Sequence, residues 1–279
     1  METVGVNVTH DASFCRCVNG EIDMFLEEER LSRKKHDNMP VKTVMELQES
    51  NFAGVTGLEY HDYSLRDTCN FFDVIFRKKI PDHDYRTYNQ HHYLHACCGF
   101  YNSGFEEADV VVVDGLGNFF DEENHECATR WYIKKPAEIK LLERQGASRF
   151  GTKTDRHGYW PMGVGMAYAS ISDYLGFGQL GSGKVMGLAP YGKEDPNIKP
   201  FVIDGRVNSK LFYRTKYSAN FIPYDYLPEE VNIKDQRFMN LAYRLQKDFE
   251  KWMTDFILKC KSKNIVLTGG CALNCVANY

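Results

Sequence analysis

Thr3-Val4-Gly5-Val6-Asn7-Val8, His10-Asp11-Ala12-Ser13, Phe14-Cys15-Arg16-Cys17-Val18, Asn19-Gly20 and Glu21-Ile22-Asp23-Met24-Phe25-Leu26-Glu27 decide the fold. The first run alternates and reads as a strand. The second is a polar turn. Phe14 to Val18 is a second strand, and Asn19-Gly20 is a strong two-residue hairpin signal. Glu21 to Glu27 is the third. Three antiparallel strands with a polar turn after the first make the opening of an RNase-H-like unit. The arrangement recurs. Asp109 to Val113 reads as a buried strand that ends in Asp114-Gly115-Leu116-Gly117-Asn118, and 129–133 and 139–144 read as two more strands. The expectation is an α/β chain of two such units. The first spans 1–107 and carries a histidine-rich helix. The second spans 108–279 and carries an insertion at about 196–233.

The rest of the chain fits between these runs. Pro40 opens a helix through about Ser50. Residues 55–90 are polar and aromatic-rich with weak periodicity. Residues 91–102 and Met162 to Leu175 read as helices, the latter closed by Gly176-Phe177-Gly178. Residues 181–192 read as a glycine-rich loop, and 196–233 as an insertion rather than core. Arg237 to Cys260 is the longest amphipathic helix. A short strand, Asn264 to Leu267, precedes Thr268-Gly269-Gly270-Cys271-Ala272-Leu273-Asn274.

Composition narrows the function. Of 279 residues, 43% are hydrophobic and 26% charged, which is ordinary for a globular protein. Lys plus Arg is 34 and Asp plus Glu is 38, a net charge of −4, so no nucleic-acid partner is expected. No apolar run spans a bilayer, and the N-terminus lacks a basic signal-peptide region. Nine cysteines at irregular spacing, with no CxxC pair, point to reduced thiols in the cytoplasm.

The chemistry is concentrated in Asn89-Gln90-His91-His92-Tyr93-Leu94-His95-Ala96. On a helix, His91 and His95 stand at i and i+4, so both rings leave one face. His92 points about 100° away and is expected not to be a ligand. Asp114, at a strand end, is placed to complete a His-His-Asp set with open positions. Such a set suits iron(II), manganese or zinc holding phosphate oxygens. Gly181-Ser182-Gly183-Lys184 lacks the Walker spacing, because Val185 follows the lysine, so a P-loop ATPase is rejected.

Four blocks stand in order: His10-Asp11-Ala12-Ser13 with Glu27-Glu28-Glu29-Arg30-Leu31-Ser32-Arg33; His91-His92-Tyr93-Leu94-His95-Ala96; Gly183-Lys184-Val185-Met186-Gly187-Leu188-Ala189-Pro190-Tyr191-Gly192; and Gly269-Gly270-Cys271-Ala272-Leu273-Asn274-Cys275. Together they resemble the O-carbamoyltransferases of antibiotic and nodulation-factor biosynthesis. That resemblance implies an N-terminal domain of the actin/sugar-kinase/Hsp70-like superfamily, similar to the universal tRNA threonylcarbamoyl-transfer protein. It implies a second, YrdC-like domain that makes carbamoyl-adenylate from ATP and carbamoyl phosphate. The carbamoyl group would then pass to a hydroxyl of a small-molecule acceptor. The sequence ends just after the second glycine loop. The last strand, a further metal-ligating aspartate and the YrdC-like domain are therefore expected from a missing segment or a C-terminal partner chain.

The resemblance also assigns roles. His91, His95 and Asp114 would hold a divalent metal, with iron(II) favoured. His10 and Asp11 lie at the first phosphate loop, where His10 contacts the carbamoyl or phosphate group or accepts the acceptor's proton. The plainer reading there is a turn with Asp11 capping its backbone. Ser13, Gly115, Gly117, Asn118 and Lys184 would face phosphates, and Gly269, Gly270 and Asn274 the adenosine side. Their plainer readings are tight turns and polar helix surface. Two rivals stand beside the main reading: a non-catalytic nucleotide- or metal-binding module acting through a partner, and threonylcarbamoyl transfer to tRNA.

Overall fold

Two sheets of the same design organise the chain. The computed structural model describes residues 2–8, 11–47, 55–60, 91–148, 154–214 and 219–279. In the first unit, β1 (Glu2–Val8), β2 (Ser13–Val18) and β3 (Glu21–Glu27) form an antiparallel meander. β4 (Val55–Tyr60) pairs parallel to β1, giving the order β3-β2-β1-β4. Helices α1 (Glu28–Ser32) and α2 (Val41–Leu47) lie between β3 and β4. The second sheet repeats the pattern. β5 (Glu107–Val113), β6 (Asn124–Lys134) and β7 (Glu138–Ser148) form a meander, and β12 (Ile265–Thr268) pairs parallel to β5. The order is β7-β6-β5-β12. A meander whose first strand takes a parallel fourth strand, made twice, is the RNase-H-like duplication of the actin/sugar-kinase/Hsp70-like fold.

Strand β5 explains the second unit's layering. Alternate side chains of a strand face opposite ways. Val110 and Val112 pack with Ala96 and Phe100 of α3 (His91–Asn102). Val111 and Val113 belong to the larger core on the other face. That core is built from α4 (Val164–Tyr174) and α6 (Gln236–Ile257). Helix α6 starts at Asp235, whose carboxylate accepts the Arg237 N–H at 2.9 Å, a standard N-cap. It buries Phe238, Leu241, Leu245, Phe249, Trp252, Met253 and Phe256. Each such side chain contributes about 1.5–3 kcal/mol as an upper figure.

Three features differ from expectation. Residues 181–192 are helical: a 3-10 turn, α5 (Ser182–Leu188) and a second 3-10 turn over Ala189–Tyr191. Val185 and Ala189, four residues apart, are buried and fix that helix despite its glycines. The segment 196–233 contributes buried aromatics to the core. Its strands β8 (Val202–Ile203), β9 (Arg206–Val207), β10 (Phe212–Arg214) and β11 (Ala219–Phe221) are short. Even so, Phe201, Phe212 and Phe221 are buried together, with ring centroids 5.9–6.2 Å apart. Weak periodicity over 55–90 concealed β4, and residues 61–90 lie outside the described set. By contacts the chain divides into 1–90 and 91–279, where the sequence reading sets the division near 107. The reason is that α3 packs on β5 and β12.

Candidate metal centre

The sequence of α3 places its two faces. Ala96 and Phe100 bury one side against β5, which turns His91 and His95 toward the end of that strand. The helix start is fixed by Asn118, whose Oδ1 accepts the His91 N–H at 2.9 Å. The two imidazoles meet edge to face with centroids 4.6 Å apart.

Asp114 follows β5 directly. Its Oδ2 is 2.6 Å from His91 Nε2 and 3.5 Å from His95 Nε2. Its Oδ1 accepts the backbone N–H of Gly115 at 2.8 Å and of Gly270 at 3.2 Å. One carboxylate oxygen is thus anchored by two glycine loops while the other faces the histidines. The spacing is tight: Gly269 has φ +88, and a Cβ there would lie 2.5 Å from the Val113 carbonyl oxygen, so only glycine fits. Burial works to raise the Asp114 carboxyl. The hydrogen bonds and charge of His91 and His95 outweigh it and hold the carboxyl well below the usual range.

His92 leaves the helix on the other side, as its angle requires. It is fully buried, with Nδ1 3.0 Å from Thr129 Oγ1, which also accepts the Trp131 indole N–H at 2.8 Å. Burial, with the neighbouring His91 charge, lowers it to about 3, so it stays neutral. Gly117 sits against this ring, and its N–H donates to the Glu126 carbonyl at 2.7 Å.

The structure therefore brings together His91, His95, Asp114, Gly115, Gly117, Asn118, Gly269 and Gly270. The Gly115 and Gly270 N–H groups orient Asp114, and Asn118 caps α3. Asn274 is buried in a reciprocal amide pair with Gln246 at 2.9 and 3.1 Å, and its Oδ1 also accepts the Ala277 N–H. That amide fastens the segment after β12 to α6. Lys184 stands apart on α5, exposed, its Nζ 5.8 Å from the centre of the Phe177 ring.

In the first unit His10 lies outside the described residues. Ser13 opens β2 opposite Asn7 and Glu27. Asp11 has φ +60, and its Oδ1 is 2.7 Å from His36 Nδ1. The sequence reading left His36 in a solvated charge run. A histidine 25 residues away gave no signal of this pairing.

The donor set can be tested for fit. Two imidazole nitrogens and a carboxylate oxygen lie within 4.8 Å of one another, all partly buried. Imidazole with carboxylate suits iron(II), manganese or zinc, and three protein ligands leave positions open. The pinned Oδ1 supplies the orienting hydrogen bonds that metal-binding carboxylates generally have. The residues fit a divalent transition-metal ion.

Known proteins resemble this chain over most of its length. An uncharacterised protein of Synechocystis sp. is 24% identical over 331 residues, covering 96% of this chain and 50% of its own length. Nodulation protein NolNO of Sinorhizobium fredii is 24% identical over 306 residues, covering 96% of this chain and 42% of its own. The chain spans about half the length of these curated relatives. A Ppx/GppA-family structure from Aquifex aeolicus aligns over 100% of this chain and 97% of its own, with a TM-score of 0.36 and 11% identity. That likeness is too slight to carry an argument, and the fold rests on the duplicated sheet. The family described as Carbamoyltransferase N-terminus matches residues 63–279, and the chain belongs to that family.

Proposed function

We propose that this chain is the transfer-site part of an O-carbamoyltransferase, moving a carbamoyl group from carbamoyl-adenylate to a hydroxyl of a small molecule. ATP and carbamoyl phosphate would supply the adenylate, in a YrdC-like segment or partner chain beyond these residues. The observation that carries the proposal is the convergence of His91, His95 and Asp114 between two glycine loops in a carbamoyltransferase-family chain.

In this reading His91, His95 and Asp114 hold iron(II). A bound ion would supply positive charge to offset the negative charge that develops during transfer. Asp114 is presented by the Gly115 and Gly270 N–H groups, so its other oxygen is held facing the two histidines. The Gly269-Gly270 turn lets the nucleotide approach the backbone. His10, beside Asp11, accepts the acceptor hydroxyl's proton as the new C–O bond forms and AMP leaves with its bonding pair. The setting is cytoplasmic. Among the described residues no helix is long and apolar enough to cross a membrane, and all eight cysteines are free thiols.

The test supplies the chain with the half that its longer relatives contain, together with ATP, carbamoyl phosphate and a panel of hydroxyl compounds. Pyrophosphate release and a carbamoylated product are expected. His91→Gln should abolish product while leaving pyrophosphate release. Metal and nucleotide binding with neither product would move the chain to the binding-module reading.

A further inference from the structure

The first unit holds a second convergent donor set, unrelated to the histidine pair of α3. Asp11, Glu29 and His36 offer ligand atoms within 4.8 Å of one another. They come from three segments: the turn after β1, helix α1, and the turn after α1. Each sits beside a residue of one backbone clamp. The Glu28 N–H donates to the Ala12 carbonyl at 2.8 Å, and the Ala12 N–H donates to the Asp37 carbonyl at 2.8 Å. Asp11 precedes Ala12, Glu29 follows Glu28, and His36 precedes Asp37. The clamp is rigid at its centre, because Ala12 and Glu28 are buried. The Glu28 carboxylate accepts the N–H groups of Lys42 and Thr43 and the Thr43 hydroxyl. Three donors mounted on a fixed frame are pre-organised for a ligand.

The alternative is an ordinary surface ion pair, and the third donor held beside the pair speaks against it. The His36–Asp11 pair is 38% and 43% exposed, and exposed pairs contribute little. Glu29 is held toward the pair, since its Oε2 accepts the His36 N–H at 3.2 Å. Its Oε1 is 3.6 Å from Arg30 Nη1.

We propose that Asp11, Glu29 and His36 form a second divalent-cation site. Two carboxylates and one imidazole suit manganese(II) or a similar ion of the transition row. Three protein ligands leave the remaining positions to water or phosphate oxygens. The site does not depend on the proposed transfer reaction.

Manganese(II) is the probe. The 279-residue chain is titrated at up to millimolar ion, free manganese is followed by electron paramagnetic resonance, and bound ions are counted. Two ions are expected for the unaltered chain and one for the His91→Gln/His95→Gln double variant. In that background the spin echo should carry a single imidazole nitrogen coupling. His36→Gln should remove it together with the ion, and the conservative Glu29→Gln should weaken binding tenfold or more. Circular dichroism checks that each variant folds. No ion bound in the double variant overturns the proposal, and so does one bound unchanged after His36→Gln and Asp11→Asn. One ion in the unaltered chain that is lost with His36→Gln, and unaffected at His91 and His95, would uphold this site and refute the other.

Discussion

Gly117→Ala isolates the packing that aims the histidine helix. A Cβ at 117 would lie 2.7 Å from His92 Cδ2, 3.0 Å from His92 Nε2 and 3.1 Å from Glu126 Cβ. Neither neighbour has room to yield. Both are fully buried; His92 is tied to Thr129, and the Glu126 carboxylate is 3.0 Å from Arg144 Nε. Overpacking of this kind costs about 1–3 kcal/mol. At roughly 2–4 °C per kcal/mol for a unit of this size, the unfolding midpoint should fall by about 2–12 °C. Gly115→Ala is the control, because nothing lies within 4 Å of its added Cβ. It should change stability by less than about 0.5 kcal/mol. Adding His92→Ala to Gly117→Ala makes room for the methyl group. The pair should then be less destabilising than the sum of the two single changes, by about 1 kcal/mol. Urea unfolding followed by circular dichroism measures all four proteins. Equal stability of the 115 and 117 variants, or strict additivity with His92→Ala, would refute this account of the turn.

Further expectations concern the thiols, the amide pair and the first unit. Burial pushes the Cys127 thiol up to about 12 from its usual 9. Its contribution is complete below pH 9 and declines as pH rises from 9 toward 12, because only the unfolded thiol ionises there. The loss at pH 10 is about 1.4 kcal/mol, and Cys127→Ala should flatten that part of the stability profile. Native alkylation at pH 8.5 should label exposed Cys98 and Cys275 and spare Cys127; rapid labelling of Cys127 would contradict its burial. Asn274→Ala leaves the buried Gln246 amide short of its partner and should cost about 1–3 kcal/mol in denaturant unfolding. A neutral result would mean that the pair does not fasten the chain end. Glu28→Ala strips three donors at the start of α2 of their acceptor and should expose the first unit to proteolysis at lower denaturant than the second. Unchanged protease resistance would contradict that role.

The duplicated meander was legible because alternation and an Asn-Gly turn are local signals. The histidine pair and Asp114 were legible for a similar reason, since an i, i+4 pair and a residue ending a strand each follow from one element's geometry. What failed to show was decided by contacts distant in sequence. Gly183 and Gly187 suggested a loop, yet Val185 and Ala189 find the core and hold a helix. Prolines and asparagines in 196–233 suggested surface, yet Phe201, Phe212 and Phe221 gather from segments that are separately too short to display a period. Glu29 and His36 looked like part of a solvated charge run. Their convergence with Asp11 depends on a clamp through Ala12. That the Gly115 and Gly270 N–H groups both meet Asp114 depends on two loops far apart in sequence.

The central claim is that His91, His95 and Asp114 bind one metal ion together. Anaerobic iron(II) loading of the intact chain, read by X-ray absorption, tests it most directly. The account predicts iron with two imidazole ligands at this centre, one after His91→Gln or His95→Gln, and binding weakened at least tenfold by Asp114→Asn. Iron retained with the same ligands and affinity in all three variants would contradict it.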